Sequence, residues 1–328
     1  MKKLIQSQSL IAISLIALGC SGPPYKTSGD VGYYKDQHFG SGGAKVAPPM
    51  EAVEVTDTTS LEGVVKLNGD VSLDVKEFKD KLRDHPDGLR CLSAMASDAA
   101  KSPFEWVVDQ SSKGVANVVF FIKPVDDKKN FFNIKSFLDK TTDAYPAQVV
   151  VDQPYCAFEP HVSVIFPYYI DPNNPGPRSK PNFVRTKQQA YVINQATVNH
   201  NTAYSSPSHG SEENVTLPAE TTVEKGALEL NQKSLTDENK ILKVVRPLYS
   251  QPLKIGCSIH AWMQGYIWSL PHPFVAVTDQ KGKFKIPHVP AGMRVRLIGW
   301  HEVKGVFFDE VVEFEKGKPA KRNFEITP

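Results

Sequence analysis

Prolines and glycines interrupt this chain along its whole length. The 328 residues include 25 prolines and 21 glycines, a density that favours turns over long helices. Several of the intervening segments are short and rich in β-branched and aromatic residues, as strands are. Hydrophobic residues make up 41% of the chain, whose length allows a sizeable core and about two domains. The sequence therefore predicts a mainly β protein.

Charge and cysteine content each exclude one class of protein. Lys and Arg number 38 and Asp and Glu 36, so the formal net charge is only +2. A nucleic-acid binder needs a concentrated basic surface, so we expect no nucleic-acid partner. The four cysteines are too few for a fold built on disulfides. They are Cys20, Cys91, Cys156 and Cys257.

The N-terminal residues have the features of an export signal. A cationic Met-Lys-Lys head precedes an apolar run, Leu10 to Leu18, that is too short for a bilayer-spanning helix. The run ends in Ala17-Leu18-Gly19-Cys20, which resembles the bacterial lipobox. That resemblance implies a signal peptide over residues 1–19 and a lipid on Cys20. An ordinary secretory signal with a nearby cysteine is the alternative.

The residues that follow suggest how the protein is held at a membrane. Residues 20–58 include a stretch rich in Gly, Pro and Ser without apolar periodicity, which predicts a flexible tether. A lipid-bearing cysteine before a tether predicts an extracytoplasmic protein held on the periplasmic face of a bacterial membrane, with the outer membrane favoured over the inner one. Paired thiols oxidise in that compartment.

A helical excursion and many strands are predicted beyond the tether. Helical spacing of apolar residues begins near Asp74 and stops at His85-Pro86-Asp87-Gly88, and a second short helix is expected over 89–99. We expect residues 201–240 to be polar and turn-rich. Predicted strands cover 61–69, 115–123, 148–152, 158–165, 189–194, 241–245, 253–257, a hairpin over 274–286 with its turn at 279–282, 294–300, 310–315 and 323–327.

One seven-residue segment carries the clearest chemical signal. Cys257-Ser-Ile-His260-Ala-Trp-Met263 places a thiol, an imidazole and a thioether directly after a predicted strand. A mononuclear type 1 copper site uses two His nitrogens, one Cys sulfur and a distant Met sulfur. The alternative is a buried or disulfide-bonded cysteine beside a core histidine.

A second motif supplies the missing histidine. Asn194, five residues and then His200-Asn201 resemble the first-ligand motif of the cupredoxins, and Cys-x2-His-x2-Met resembles the amicyanin form of their ligand loop. The resemblance covers about residues 148–270.

The cupredoxin resemblance implies a role for each of these residues. It implies that His200, Cys257 and His260 are equatorial copper ligands and that Met263 is the axial one. Asn201 matches the residue that braces the thiolate. His209 is the main rival ligand.

The two ends of the folded region resemble a different β-sandwich. The pattern Val-Thr-Asp-x-x-Gly-x-Phe-x-Ile…Pro-Ala-Gly over 277–292 resembles the carboxypeptidase regulatory-like, transthyretin-like fold. We therefore predict one discontinuous sandwich, 59–125 plus 273–328, with a cupredoxin domain over 145–270 inserted. Two independent halves are the alternative. The whole order resembles a family of bacterial lipoproteins frequent in planctomycetes.

The remaining cysteines fit a cross-link. Cys91 and Cys156 belong to different predicted blocks of a chain expected in an oxidising compartment, so we predict a disulfide between them. Two free thiols are the alternative.

The expected function is electron transfer without catalysis. No Gly-x-Ser-x-Gly elbow, phosphate loop or HExxH motif occurs, so we do not expect an enzyme. We expect Cu(II)/Cu(I) cycling with an unidentified redox protein at an exposed histidine edge, with Trp262 as a possible entry point. A copper storage or delivery module, and a surface binding lipoprotein with a vestigial site, are the alternatives.

Overall fold

A computed structural model gives the fold of most of the chain beyond residue 50. It describes residues 51–97, 100–101, 105–132, 146–177, 181–206, 211–230, 247 and 249–328. No helix within these residues combines the length and apolar character that crossing a bilayer would require.

The predicted fold class, mainly β, is confirmed. The described residues form twenty strands and two short helices. The strands are β1 (Glu51–Glu54), β2 (Thr58–Leu67), β3 (Val119–Pro124), β4 (Lys129–Phe132), β5 (Gln148–Val151), β6 (Val162–Ile165), β7 (Tyr168–Ile170), β8 (Phe183–Arg185), β9 (Gln189–Val192), β10 (His200–Ser206), β11 (Ser211–Leu217), β12 (Leu228–Glu229), β13 (Leu253–Gly256), β14 (Gln264–Ser269), β15 (Val275–Val277), β16 (Lys283–Pro290), β17 (Arg294–His301), β18 (Gly305–Glu313), β19 (Ala320–Lys321) and β20 (Phe324–Ile326).

The helices form the excursion between β2 and β3. Helix α1 spans Val75–Asp84, and the Asp74 side chain caps it by accepting a backbone N–H bond of 2.7 Å. It ends just before Pro86, because the residue before a proline disfavours helical backbone. Helix α2 spans only Gly88–Cys91, shorter than predicted. Leu82 of α1 is fully buried and anchors the excursion to the core beneath it.

Two sheets enclose the core of the middle of the chain. One, which we call the ligand sheet, has five strands in the order β11-β10-β13-β14-β6. The other has three, in the order β12-β9-β5. Apolar side chains of both sheets, including Ile255 and Val192, meet in a single core. The ligand sheet brings β10, β13 and β14 side by side, although some 50 residues separate β10 from β13.

Strands from both ends of the described chain form a second pair of sheets, which we call the terminal sandwich. One sheet has the order β15-β3-β17-β18, and the other β16-β2-β19 with β20 also paired to β2. Strand β3 is buried on both faces, which explains its unbroken apolar run. Phe120 points into the core of the terminal sandwich, whereas Phe121 packs on Trp268 of the ligand sheet with ring centroids 5.0 Å apart.

The predicted hairpin over 274–286 is wrong. Its turn is present, since the Gly282 N–H bonds to the Asp279 carbonyl at 2.9 Å. However, β15 pairs with β3 and β16 with β2, so the turn carries the chain from one sheet to the other. The Thr278 hydroxyl accepts from the Val118 N–H and donates to a carbonyl of the same segment, which holds β15 to its own sheet.

The prediction of turn-rich structure over 201–240 is also wrong in its first part. Strands β10 and β11 pair there over seven residues, from His200 opposite Leu217 to Ser206 opposite Ser211. These strands were not predicted because their side chains are mostly polar. A polar strand lacks the alternation of apolar and polar residues by which a strand is recognised in a sequence. The strand predicted over 241–245 lies outside the described residues.

Other boundaries moved for local reasons. The strand predicted over 158–165 starts only at Val162, after Pro160, which has no N–H for a sheet ladder. Residues 51–54, expected within the tether, form β1 and pair with β4. The domain boundaries given above stay a prediction.

Candidate metal centre

Three strands of the ligand sheet converge on the predicted ligands. His200 is the first residue of β10, Cys257 directly follows β13, and Met263 directly precedes β14. His260 lies in the loop that connects β13 to β14. All four side chains are buried: the residues are exposed by 0% at both histidines, 6% at Cys257 and 2% at Met263.

The donor atoms of three of these residues lie within reach of a single ion. The Nδ1 atoms of His200 and His260 are 2.9 Å apart, and Cys257 Sγ is 3.9 Å from His260 Nδ1. All three donors lie within 4.8 Å of one another. Metal–nitrogen and metal–thiolate bonds of about 2.0 and 2.3 Å allow two donors of one ion to lie at most about 4.3 Å apart. Both the nitrogen–nitrogen and the sulfur–nitrogen distance satisfy this limit.

The two imidazoles leave donor capacity that a metal ion would use. Only one hydrogen can lie between their facing Nδ1 atoms, so at least one of these nitrogens is unprotonated and carries a lone pair. His200 Nε2 has no hydrogen-bond partner among the residues that the structure describes. Burial lowers the pKa of His200 to about 4, with His260 acting in the same direction and Asp87 opposing. The neutral imidazole, which is the form that binds metals, therefore predominates at neutral pH.

Asn201 joins β10 to the ligand loop. Its Oδ1 atom accepts from the Ser258 N–H at 2.8 Å, the Ser258 hydroxyl at 3.0 Å and the Ile259 N–H at 3.3 Å. The Cys257 thiol lies 3.2 Å from the same oxygen, and the Asn201 N–H lies 3.5 Å from Sγ. Asn214 of β11 accepts from the Asn201 amide at 2.7 Å. The sulfur is thereby held in place from two sides.

Backbone hydrogen bonds close the loop that carries Cys257, His260 and Met263. The Met263 N–H donates to the His260 carbonyl at 2.9 Å, and the Cys257 N–H donates to the Met263 carbonyl at 3.3 Å. Met263 packs in the same core cluster as Cys257. The two-residue spacings of the motif therefore produce a compact, internally bonded loop.

The helical excursion covers His260, which contradicts the exposed histidine edge expected from the sequence. Asp87 Oδ2 lies 3.0 Å from His260 Nε2, and the His85 ring lies 4.6 Å from the His260 ring between centroids. Burial lowers the pKa of His260, while its hydrogen bond to Asp87 raises it and His85 lowers it further. Both Nδ1 and Nε2 of His260 thus have defined neighbours.

A disulfide joins the excursion to the core beside the metal centre. Cys91, the last residue of α2, is bonded to Cys156 with an S–S distance of 2.10 Å. Both sulfurs lie within 4.8 Å of a ring nitrogen of His260. Trp262 is only partly buried, and its indole N–H donates to the Cys156 carbonyl at 3.2 Å. Cys257 is the one free cysteine among the described residues.

Sequence reasoning missed the residues that surround the ligands. It treated Asp87 and His85 as the end of a helix, and it gave Asn214 no role. No sequence pattern connects Asp87 with His260, because 173 residues separate them. The proposed lipid attachment at Cys20 and the rival ligand His209 lie outside the described residues.

Comparison with solved structures finds similar chains, whereas comparison by sequence finds none. No family model matches the chain, and no curated protein matches it. A solved structure, a novel purple cupredoxin from Nitrosopumilus maritimus, is 14% identical, with a TM-score of 0.21. The match covers 37% of this chain and 98% of that one. A TM-score this low carries no argument, so the interpretation of the site rests on its own geometry.

Proposed function

We propose that this protein is a type 1 copper protein that transfers single electrons. The observation that carries the proposal is the buried trio of His200 Nδ1, His260 Nδ1 and Cys257 Sγ, close enough together for a single ion. Two imidazoles and one thiolate form the trigonal donor set of blue-copper sites, and Met263 would add the thioether. Copper bound there would supply one-electron Cu(II)/Cu(I) chemistry.

The surroundings of the donors favour electron transfer over catalysis or metal exchange. Asn201 and the internal hydrogen bonds of the loop hold the donors in one arrangement, which keeps reorganisation small when the charge changes. The four ligands are buried, and Asp87 and His85 lie over His260, so no ligand edge faces solvent. An electron would therefore pass through neighbouring groups, of which Trp262 has its ring 5.3 Å from that of His260.

We also propose that the protein is held by a lipid on Cys20 outside the cytoplasm. The lipobox-like Ala-Leu-Gly-Cys and the Cys91–Cys156 disulfide support this placement, because disulfides persist in oxidising compartments. Cys20→Ser should move the protein from the membrane fraction to the soluble fraction. Retention of the variant in the membrane fraction would contradict the lipid anchor.

The copper proposal is tested by spectroscopy of the full mature chain loaded with Cu(II). The wild type should show an intense thiolate-to-copper band in the visible and a type 1 EPR signal. Cys257→Ser should lose the band, and His260→Ala should change both spectra. His288→Ala is the control, because this half-buried histidine lies in the terminal sandwich. A colourless copper-loaded wild type would defeat the proposal.

A second measurement separates electron transfer from copper storage or delivery. A carrier should give a reversible one-electron voltammetric response and keep Cu(I) in the presence of a competing chelator. Rapid loss of Cu(I) to the chelator, without reversible cycling, would favour storage or delivery.

A further inference from the structure

The turn between the two helices touches the predicted copper ligand that a partner would otherwise reach. Asp87 is the residue before α2, and its Oδ2 lies 3.0 Å from His260 Nε2. The His260 side chain is fully buried, whereas that of Asp87 is 31% exposed. The carboxylate therefore lies between the imidazole and the solvent.

We propose that Asp87 is a positioning residue of the metal centre, an inference that rests on the copper site proposed above. Its carboxylate accepts a hydrogen bond from His260 Nε2–H, which fixes the tautomer whose Nδ1 is unprotonated and can bind a metal ion. That Nδ1 is the atom that faces His200 and Cys257. A carboxylate bonded to the far nitrogen of a ligand histidine fixes the ring and raises its basicity.

The disulfide holds Asp87 in this position. The Asp87 carbonyl accepts from the Cys91 N–H at 3.1 Å and from the Arg90 N–H at 2.8 Å, which fixes Asp87 to the start of α2. Cys91 is bonded to Cys156, and Cys156 in turn accepts the indole N–H of Trp262 in the ligand loop. The cross-link therefore fixes the excursion to the loop that carries His260, close to the contact itself.

A second cation site is the competing interpretation of the same atoms. His85 Nδ1 lies 3.8 Å from Asp87 Oδ2, and His260 Nε2 completes a set of three possible ligands. However, His85 Nδ1 already accepts the Asp87 N–H at 3.2 Å, so its lone pair points to the backbone. The distance from Nε2 to Oδ2 is that of an ordinary N–H···O bond. The geometry thus favours positioning over metal binding at Asp87.

The first test uses the metal-free full chain and reads the tautomer of His260 from long-range ¹H–¹⁵N NMR. Wild type should show the Nε2–H tautomer. Asp87→Ala should populate the Nδ1–H form, because His200 Nδ1 is then the nearest acceptor. Asp87→Asn should keep mainly the Nε2–H form, since its amide oxygen still accepts. Asp84→Asn, an exposed aspartate at the end of α1, should match the wild type.

The second test uses the copper-loaded chain. We expect Asp87→Ala to weaken Cu(II) binding about 10- to 100-fold by chelator competition, the range found for such outer partners. Cu(I) binding should weaken less than Cu(II) binding. The negative charge of Asp87, which the variant lacks, stabilises the doubly charged ion more than the singly charged one. If the two affinities diverge tenfold, the reduction potential rises by about 59 mV. Asp87→Asn should fall between Asp87→Ala and the wild type in Cu(II) affinity.

Two results would overturn the inference. One is an Asp87→Ala variant that folds with its disulfide intact and keeps the wild-type tautomer and copper affinity. The other is a wild type that binds two metal ions per chain and loses the second in both Asp87→Ala and His85→Ala, which would make Asp87 a ligand. Failure of the copper proposal has a different signature, since it abolishes the charge-transfer band of the wild type but leaves the metal-free NMR test intact.

Discussion

At the scale of single residues, one amide oxygen holds the loop of the candidate metal centre in place. Asn201 Oδ1 accepts hydrogen bonds from two consecutive residues of the ligand loop, and the Cys257 thiol lies beside it. The amide nitrogen of the same side chain donates to Asn214, and only the longer Gln carries the same acceptor and donor. The short Asn side chain thereby connects two strands and the loop.

Replacing this amide should be costly. We expect Asn201→Ala to lower the free energy of unfolding of the metal-free chain by about 2–3 kcal/mol, because buried loop donors lose their acceptor. Chemical denaturation measures the change. Asn323→Ala is the matched control: its exposed amide accepts a single bond, from the Val64 N–H, so it should cost less than about 1 kcal/mol. Equal losses in the two variants would contradict the proposed role of Asn201.

Outside the candidate metal centre, the buried His272 should make the stability of the fold depend on pH. His272 is fully buried among aromatic rings, and burial lowers its pKa to about 3, although hydrogen bonds with backbone groups oppose the shift. Between pH 6.5 and about 3 the unfolded chain takes up a proton that the folded chain does not. The contribution of His272 to the free energy of unfolding is therefore fully present above the unfolded pKa. Below that pKa it falls by on the order of 1 kcal/mol per pH unit until the folded pKa is reached.

The contribution of His272 can be isolated by substitution. His272→Asn keeps an acceptor for the Phe274 N–H, now bonded to Nδ1 at 3.1 Å, but removes the titrating ring. The variant should be less stable at pH 7 and should lose part of the decline in stability towards pH 4. Denaturation curves at several pH values measure both effects. An unchanged pH dependence would show that His272 titrates normally in the folded chain.

At the scale of elements, the turn that links the two sheets of the terminal sandwich requires glycine. Gly282 has φ of +74°, and a Cβ there would lie 2.2 Å from the Val65 carbonyl oxygen. Gly317 has a similar φ of +66°, but a Cβ there would meet nothing within 4 Å. The two positions therefore share a left-handed backbone that would strain any residue with a Cβ, and they differ in steric contact.

Alanine substitutions at these two glycines distinguish the cost of a left-handed backbone from the cost of a steric clash. Gly317→Ala should cost only the left-handed conformation, about 1–2 kcal/mol. Gly282→Ala should cost clearly more, about 3 kcal/mol or above, because backbone atoms of β2 would have to move. Thermal or chemical unfolding measures both variants. Similar losses would mean that the turn shifts freely and that the sheet crossing imposes no steric demand.

At the scale of the whole molecule, a buried hydrogen-bonded pair of side chains ties the ligand sheet to the terminal sandwich. His161 Nε2 and Glu302 Oε1 are 2.6 Å apart, with side chains exposed by 4% and 3%. They lie beside the apolar layer where Phe121, Trp268 and Trp300 meet. The pair therefore fixes how the two parts of the molecule face each other.

Removing one partner should destabilise the molecule as a unit. We expect Glu302→Ala to cost about 2–3 kcal/mol, since it removes the carboxylate that the buried imidazole contacts. Glu310→Ala removes an exposed pair with Arg322 and should cost at most about 1 kcal/mol. A single cooperative transition in both variants is expected. A split transition in Glu302→Ala would show that the two parts unfold separately once the pair is lost.

The sequence alone determined those features that depend on neighbouring residues. Turn residues and short apolar runs indicated a mainly β chain, and the Cys-x2-His-x2-Met spacing identified a loop that brings its donors together because the loop is short. The cupredoxin resemblance then indicated His200. Strands β10 and β11 were not predicted from the sequence, because their side chains are mostly polar. They are strands because they pair with each other, and this pairing leaves no hydrophobic pattern in the sequence.

Only the tertiary structure decided what surrounds that loop. Asp87 lies against His260 because Leu82 of α1 packs on the core and Cys91 of α2 is cross-linked to Cys156. Neither contact produces a periodic pattern in the sequence that would predict it. The route of the chain between the two sheets at Gly282 was equally hidden, since a turn residue does not specify which strands pair. Contacts between distant residues follow from packing of the whole core, which local patterns do not encode.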